Sequence, residues 1–168
     1  MKKIRFYISG ILQGSREAGK FENQEYRQII GDFIRYFHPT ATIYDPIAEH
    51  LHKAERYSRK RSNLCFWANV VMAGEADVII AWMPEASNGT TLESYFGWIN
   101  GALVLFVSTL DHNWTVRGIA HKIFHSGSEL EQFIATPAFL RALQPGQRLI
   151  RRNRAQGILA NAPEFQTW

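Results

Sequence analysis

A continuous apolar stretch, Val-Ile-Ile-Ala-Trp-Met at 78–83, lies between the charged Asp77 and Pro84. Its length suits a β-strand, and the absence of alternating polar residues indicates a strand that is covered on both faces. Strands of this kind lie at the centre of parallel sheets, which helices cover on both sides. We therefore predict a strand over 77–83 in the middle of a parallel sheet.

The rest of the chain alternates between strand-like and helix-like patterns. The patterns predict strands at 4–9, 40–44 and 102–108, and helices at 23–37, 63–74, 91–100, 113–124 and 128–134, with room for a short strand between the last two helices. This order predicts a single α/β domain with a Rossmann-like, flavodoxin-like doubly wound parallel sheet of about five strands. We assign residues 1–136 to this domain and 137–168 to a C-terminal helix and a basic, partly flexible tail.

The sequence makes more detailed predictions for one loop segment and two of the helices. The segment at 47–62 is polar and is predicted to be a loop with some helix. In the helix at 63–74 the large apolar side chains are expected to face inward; they are Phe66, Trp67, Val70 and Val71. The helix at 91–100 is expected to end with Gly101 as its C-cap.

The composition indicates a globular protein, with 46% hydrophobic and 20% charged residues among 168. The net charge of +4 comes largely from two local clusters, Lys53, Arg56, Arg59, Lys60 and Arg61 in one and Arg148, Arg151, Arg152 and Arg154 in the other. Such runs usually form solvated faces, so we do not expect a nucleic-acid polymer as a partner.

The sequence also bears on the compartment. Its one cysteine, Cys65, cannot form an internal disulfide and is compatible with a reducing environment. The first residues do not fit a signal peptide, and no apolar run approaches the ~18 residues of a membrane span. We expect a cytoplasmic protein that does not associate with membranes.

Three segments are predicted to reach the carboxyl edge of the sheet, where open parallel sheets bind ligands: 10–16, 45–46 and 84–93. The first offers small residues and backbone N–H groups that suit a phosphate. It lacks the Lys-Ser/Thr of a P-loop and the three-glycine spacing of a dinucleotide fingerprint, so a plain turn stays the alternative.

The segment from Ser87 to Glu93 brings hydroxyls, a glycine and a carboxylate to a helix N-terminus. Ser87 or Thr90 is expected to cap this helix, and Glu93 then has two interpretations. It either completes a capping box with Thr90, three residues before it, or serves a ligand at the sheet edge.

Two stretches also match a known pattern. Tyr-Ile-Ser-Gly-Ile-Leu-Gln-Gly-Ser-Arg at 7–16 is similar to a first strand with its phosphate loop, and Ala-Asp-Val-Ile-Ile-Ala at 76–81, followed by Ser87-x-Gly89-Thr90-x-x-Glu93, is similar to a catalytic stretch. Together they resemble the nucleoside 2-deoxyribosyltransferase-like superfamily, and within it the nucleoside 5′-monophosphate N-glycosidases. The resemblance extends over residues 6–108.

The resemblance implies a role for each matching residue. Glu93 would be the nucleophile on the anomeric carbon of the sugar, and Tyr7 would orient it. A carboxylate suits this reaction because it stabilises an oxocarbenium-like transition state and can form a glycosyl ester. A 5′-phosphate and the rest of the nucleotide would be held by Ser9, Gly10, Ile11, Gln13, Gly14, Ser15, Ser87, Gly89 and Thr90. No cofactor and no metal are implied.

One departure from the family pattern concerns proton transfer. The family carries an aspartate eight residues before the position of Asp77, where this chain has Asn69. An amide cannot be a general acid. Asp45, Glu85 or a residue of a neighbouring subunit then supplies the proton to the leaving base, or the base leaves slowly, or the protein binds without turnover.

These observations predict cleavage of an N-glycosidic bond in a nucleotide or nucleoside, by hydrolysis or by transfer. Water is the favoured acceptor, because Ser87 matches the phosphate-binding pattern of the hydrolases. The rival interpretation is a non-catalytic nucleotide-binding or sensing module of the same fold, which Asn69 favours.

Other candidate residues have simpler explanations. His50 with His52, and His121 with His125, have the spacing of metal pairs, but no further ligand completes either set. Four tryptophans could stack on a base, namely Trp67, Trp82, Trp98 and Trp114, but Trp82 in a central strand and Trp67 in an apolar helix are more simply explained as core or interface residues. Because aromatics make up 13% of the chain and the helix at 91–100 is apolar, we expect a homodimer or larger assembly.

Overall fold

The computed structural model describes residues 3–12, 23–48 and 58–160. These contain one sheet of five parallel strands, namely β1 (Arg5–Gly10), β2 (Thr42–Tyr44), β3 (Val78–Trp82), β4 (Leu103–Val107) and β5 (Lys122–Phe124). The strands lie in the order β2-β1-β3-β4-β5, with the apolar β3 at the centre. The predicted Rossmann-like, doubly wound sheet is thereby confirmed.

Helices follow the strands along the chain. Their bounds are α1 (Glu25–Phe37), α2 (Arg59–Glu75), α3 (Asn88–Ile99), α4 (Trp114–Ile119), α5 (Gly127–Ile134), α6 (Pro137–Ala142) and α7 (Gln147–Ala160). Within the described ranges, none of them has the length and apolar character needed to cross a membrane.

The helices cover both faces of the sheet, and the alternation of side chains along β1 shows how. Phe6 and Ile8 pack in one cluster with α1, α5 and α6. Tyr7 points to the opposite face, where side chains from α2, α3, α4 and α7 form a second cluster. The direction of the chain through the sheet reverses between β1 and β3, so the ends of these two strands form the switch point at which such folds bind ligands.

Gly10 and Trp82 are paired at the carboxyl ends of β1 and β3. The Tyr26 ring stacks on Trp82, with centroids 4.9 Å apart and planes 13° apart. A Cβ atom on Gly10 would collide with the Tyr26 hydroxyl and lie 2.9 Å from Tyr26 Cζ. Glycine is therefore required here because α1 crosses close to the end of β1.

Two helices begin earlier than the sequence predicts, and in both cases a serine cap explains the difference. Helix α2 begins at Arg59 rather than at residue 63, because Ser58 caps it and accepts from Arg61 N. Helix α3 begins at Asn88 rather than at 91, with Ser87 as its N-cap. Gly101 follows α3 with φ +83°, as its predicted role at the helix end requires.

The structure also divides two predicted helices. In the segment predicted as one helix at 113–124, the helix ends at Ile119. Residues 122–124 form β5, the edge strand beside β4. The predicted C-terminal helix consists of α6 and α7, and α7 continues to Ala160, well past the polar residues that favoured an earlier end.

The prediction for the inward face of α2 is wrong for two of its residues. Val70 is buried and Phe66 is half-buried, but Trp67 is 62% exposed and Val71 52% exposed. Helix α2 packs on α3 through small residues instead. A Cβ atom on Gly97 would lie 3.1 Å from the Ala73 carbonyl, so the close approach leaves the large side chains of α2 outside.

The second basic cluster has a structural role in docking α7. Arg148 donates to the carbonyls of Gly74 at 2.7 Å and Ala76 at 2.6 Å, which satisfies the end of α2. It also pairs with Asp77 at 3.1 Å. Arg151 donates to the Gly101 carbonyl at 2.9 Å. These two arginines are committed to contacts within the protein.

Candidate functional site

The Glu93 side chain meets the end of β1 at the carboxyl edge of the sheet. The hydroxyl of Ser9, which is fully buried, donates a hydrogen bond to Glu93 Oε2. Because Ser87 is the N-cap of α3, Glu93 is the sixth residue of the helix rather than the third. The capping-box interpretation with Thr90 is therefore wrong, and the Glu93 side chain contacts Ser9 at the sheet edge instead.

Protein surrounds the Glu93 carboxyl on most sides, although the residue keeps some contact with solvent. This burial raises the pKa of Glu93 above its usual range. The Ser9 hydrogen bond, the nearby Tyr7 hydroxyl and the positive charge of Arg27 act in the opposite direction and only partly compensate. The site thus holds a desolvated carboxyl with a donor already directed at it.

Tyr7 lies beside this carboxyl in the core of the sheet. Its ring is fully buried, and its hydroxyl has no partner of normal hydrogen-bond geometry among the described residues. Burial and the negative charge of Glu93 both raise the pKa of Tyr7 well above its usual range. The charge of Glu93 therefore acts on the Tyr7 hydroxyl within the same buried region.

Asn69 is brought to the same region by a second tyrosine. The Tyr44 ring stacks on Tyr7, with centroids 5.4 Å apart and planes 20° apart. The Tyr44 hydroxyl donates to Asn69 Oδ1 at 3.2 Å. The position where the resemblance places an aspartate is therefore connected to Glu93 through two stacked phenol rings.

Arg27 was missed in the sequence analysis and is a buried cation beside the site. It is 5% exposed and donates through Nη1 to the Ile8 carbonyl at 2.8 Å and to Asp45 Oδ1 at 2.9 Å. A signal was present in the sequence: Arg27 lies three residues before Ile30, on the apolar stripe of α1. A charge on such a stripe requires a buried partner.

Asp45 was predicted as a candidate proton donor, and the structure places it at the edge of this site. Its Oδ1 accepts hydrogen bonds from Arg27 Nη1 and, at 3.0 Å, from Ile47 N. In the structure this carboxylate holds Arg27. Glu85, another candidate acid, is exposed on the loop after β3.

The predicted phosphate residues on α3 lie at its N-terminus. Ser87 Oγ accepts from Thr90 N at 3.4 Å and from Thr90 Oγ1 at 3.0 Å. Thr90 is buried, whereas Ser87 and Gly89 are half-buried, and space within 4 Å of a Cβ atom on Gly89 is open. The first turn of α3 carries backbone N–H groups that have no partner inside the helix, and it is accessible at Gly89.

The N-terminal loop is described only in part. Ile11 is buried and its carbonyl accepts from Gln24 Nε2 at 3.0 Å. The predicted phosphate residues Gln13, Gly14 and Ser15 lie outside the described residues, as do His50 and His52.

The remaining candidates lie away from Glu93 or have other partners. His121 Nδ1 accepts from Val104 N at 3.0 Å, and desolvation of the ring lowers the pKa of His121. In the described ranges no three His, Cys, Asp or Glu side chains are grouped to hold a metal. Of the four tryptophans, Trp98 is buried and Trp114 is 90% exposed at the start of α4.

No family model matches the chain, and no curated protein matches it. Among solved structures, the 2-deoxyribosyltransferase of Bacillus psychrosaccharolyticus aligns with a TM-score of 0.56 and 19% sequence identity, covering 81% of this chain and 95% of that chain. The CMP N-glycosidase BcmB of Clostridium botulinum aligns with a TM-score of 0.47 and 14% identity, covering 77% of this chain and 97% of that chain. The chain has the nucleoside 2-deoxyribosyltransferase-like fold.

Proposed function

We propose that this protein cleaves the N-glycosidic bond of a nucleotide or nucleoside, with Glu93 as the nucleophile. The observation that carries the proposal is the hydrogen bond from Ser9 to Glu93, made at the switch point of the sheet beside the buried Tyr7. A solved 2-deoxyribosyltransferase with this fold supports the choice of bond.

In the proposed reaction a Glu93 oxygen attacks the anomeric carbon, and the bond from that carbon to the base nitrogen breaks. The base leaves with the bonding electrons and takes up a proton, and a glycosyl ester remains on Glu93. Water then attacks the same carbon and gives up a proton, which balances the proton taken up by the base. The Glu93 carboxylate is released together with the free sugar or sugar 5-phosphate. Tyr7 and Ser9 would hold Glu93 in position for the attack, since both hydroxyls act on that carboxyl.

The proposed substrate carries a 5′-phosphate held at the N-terminus of α3. Ser87 and Gly89 offer a hydroxyl, open space and the positive end of the helix dipole. The same proposal assigns Ser9, Gly10 and Ile11 to the substrate, with the phosphate held by the backbone amides from Gly10 onward. Water is the proposed acceptor because Ser87, rather than an acidic residue, occupies this position.

Asn69 favours a second candidate, a nucleotide-binding or sensing module without turnover. The amide of Asn69 lies at the end of the tyrosine pair and cannot donate a proton to a leaving base as an acid does. Under this alternative the same residues bind the nucleotide, but the bond stays intact.

We further propose that the protein is a cytoplasmic homodimer or larger assembly. Large apolar side chains remain exposed on α2 and α3, including Trp67 and Val71 on α2. A neighbouring subunit against this face would add residues to the site and is one proposed source of the missing acid.

The decisive experiment incubates the purified protein with a panel of nucleosides, 5′-monophosphates and NAD and measures free base by chromatography. Glu93→Gln serves as the matched control, because the amide fills the same space but cannot form the glycosyl ester. We expect base release by the wild type and none by the variant, with ligand binding retained in both. Binding without release by the wild type would favour the sensing module, and full release by Glu93→Gln would refute the proposed nucleophile.

A further inference from the structure

Strand β1 extends beyond the end of its neighbour β2. The last pair of the ladder joins Tyr7 to Tyr44, so Ile8 and the residues after it have no partner in β2. In a parallel ladder of this register, the donor opposite the Ile8 carbonyl would be the N–H of residue 46. Residue 46 is a proline, which has no N–H. Residue 46 therefore cannot supply this hydrogen bond.

The guanidinium of Arg27 takes the place of the missing strand. Its Nη1 donates to the Ile8 carbonyl at 2.8 Å, and its Nη2 donates to the Gly10 carbonyl at 3.2 Å. These two carbonyls flank Ser9, the residue whose hydroxyl donates to Glu93. One rigid, planar group thus fixes the backbone on both sides of the residue that contacts the proposed nucleophile.

Two side chains hold Arg27 in this position. Asp45 Oδ1 accepts from Nη1 at 2.9 Å, and Gln24 Oε1 accepts from Nε at 2.7 Å. Gln24 in turn donates to the Ile11 carbonyl at 3.0 Å, which extends the network to the loop after β1. The guanidinium is almost fully buried, so its orientation is set by these partners rather than by solvent.

We propose that Arg27 is a positioning residue of the Glu93 site, acting through the Ser9 backbone to direct the Ser9 hydroxyl at the carboxyl. The kinetic consequence of this role rests on the proposed glycosidic cleavage, whereas the effect on the Glu93 carboxyl does not. The simpler alternative is that Arg27 only stabilises the fold by pairing with Asp45. The two differ in one respect: only a positioning role couples Arg27 to Ser9.

The test is a double-mutant cycle with Arg27→Lys and Ser9→Ala. Lysine keeps the positive charge but cannot hold two carbonyls with a planar fork. The matched control is Arg35→Lys, because Arg35 lies on the same helix, is exposed and pairs with Asp32 at 3.0 Å. All variants are compared by kcat and KM for base release and by melting temperature.

We expect Arg27→Lys to lower kcat by about 10- to 100-fold, the cost of losing the hydrogen bond from Ser9 to the charged Glu93 carboxylate, with a much smaller change in KM. Ser9→Ala should then have little further effect in the Arg27→Lys background, because the hydroxyl is already misdirected. Equal effects of Ser9→Ala in both backgrounds, or a loss with Arg35→Lys as large as with Arg27→Lys, would overturn the proposal.

A second readout separates this proposal from the proposed function. The Glu93 carboxyl is titrated by carbon NMR in glutamate-labelled protein, with Glu93→Gln assigning the resonance. Arg27→Lys should raise the pKa of Glu93, since the Ser9 donor that lowers it is lost. The rise in the pKa of Glu93 is expected even if the wild type releases no base. An unchanged titration refutes the positioning role. If Arg27→Lys does not fold, Gln24→Met removes a side-chain acceptor of the same arginine without changing any charge. It should shift the titration in the same direction, and no shift there is equally contrary.

Discussion

The Tyr44 hydroxyl donates to Asn69 Oδ1 at 3.2 Å, and its ring stacks on Tyr7 at 5.4 Å. This arrangement places the Asn69 side chain at the end of a short path that leads through the two phenols to Glu93. An aspartate at position 69 could keep the hydrogen bond from Tyr44 on one oxygen and carry a proton on the other. The geometry therefore accommodates an acid at this position.

The first prediction follows directly. Asn69→Asp should raise the turnover of base release, because a positioned general acid typically contributes ~10²–10⁴-fold. The gain should be largest for substrates whose base leaves poorly without protonation, and it should disappear as the pH rises and the aspartate ionises. Rates measured across pH with two bases of different basicity test this.

The matched control for this prediction is Asn63→Asp. Asn63 is exposed on the same helix, so the substitution adds the same charge without approaching Tyr44. An equal gain from Asn63→Asp would assign the effect to net charge on α2. No gain from Asn69→Asp in an active protein would mean that the proton comes from elsewhere, such as the neighbouring subunit.

The second prediction concerns stability and the raised pKa of Glu93. In the unfolded chain this carboxyl ionises near 4.5, but in the folded protein burial raises its pKa above that value. Below both pKa values the carboxyl is neutral in both states and costs nothing. As the pH rises from about 4.5 through the folded pKa, ionisation increasingly favours the unfolded chain, so stability falls.

Glu93→Gln removes this pH-dependent cost and should melt at a higher temperature than the wild type near pH 8, with the difference shrinking toward pH 4. For a chain of this size each kcal/mol regained raises the Tm by about 2–4 °C. Glu131→Gln, an exposed site on α5, is the control and should show no such trend. A lower Tm for Glu93→Gln at every pH would contradict the desolvation argument.

The sequence reveals the features that depend on local patterns, but not those that depend on contacts between distant segments. The central strand and its parallel neighbours were predictable because burial on both faces requires continuous apolar residues, as in Val78 to Trp82. The start of α3 was not, because Ser87 and Thr90 are equally good caps by type, and only the packing of the chain after β3 selects one.

The tertiary contacts of Arg27 and Trp67 depended on information that local patterns do not contain. Arg27 is buried because β2 stops early and Pro46 offers no donor, a relation between segments far apart in the chain. Trp67 is exposed because small residues let α2 and α3 approach closely. Periodicity showed that α2 is a helix but not which side of it faces the sheet.

The third prediction tests the phosphate site. Ser87→Ala should weaken binding of a 5′-monophosphate by about ten- to a hundred-fold, and binding of the corresponding nucleoside far less, since one charge-assisted hydrogen bond is lost. The substitution also removes a helix cap, which costs about 1 kcal/mol of stability. Calorimetric titration with both ligands measures the affinities.

Ser126→Ala separates the two effects of Ser87. Ser126 caps α5 as Ser87 caps α3, accepting from Glu129 N at 3.2 Å. Its removal should lower the melting temperature by a similar amount and leave the affinity for the monophosphate unchanged. Equal losses for nucleoside and monophosphate with Ser87→Ala would show that Ser87 acts only as a cap.

The fourth prediction concerns the apolar face of α2 and α3. Leu64, Trp67 and Val71 follow one another at helical spacing and are each more than half exposed. Leu92, Tyr95 and Phe96 form a similar exposed stripe on α3, which packs against α2. Monomeric proteins rarely leave such a surface uncovered, so we expect a homodimer or larger assembly at micromolar concentration.

Trp67→Glu should dissociate this assembly, because a charge placed in an apolar interface loses its solvation without gaining a partner. Leu149→Glu is the matched control: Leu149 is 59% exposed on α7, away from this face, and its variant should keep the oligomeric state of the wild type. Light scattering after size-exclusion chromatography measures the mass of each. If the subunits complete each other's sites, Trp67→Glu should also lose base release while keeping its fold. A wild-type mass near 19 kDa would refute the assembly, and full activity in a monomeric Trp67→Glu would show that each site is complete within one chain.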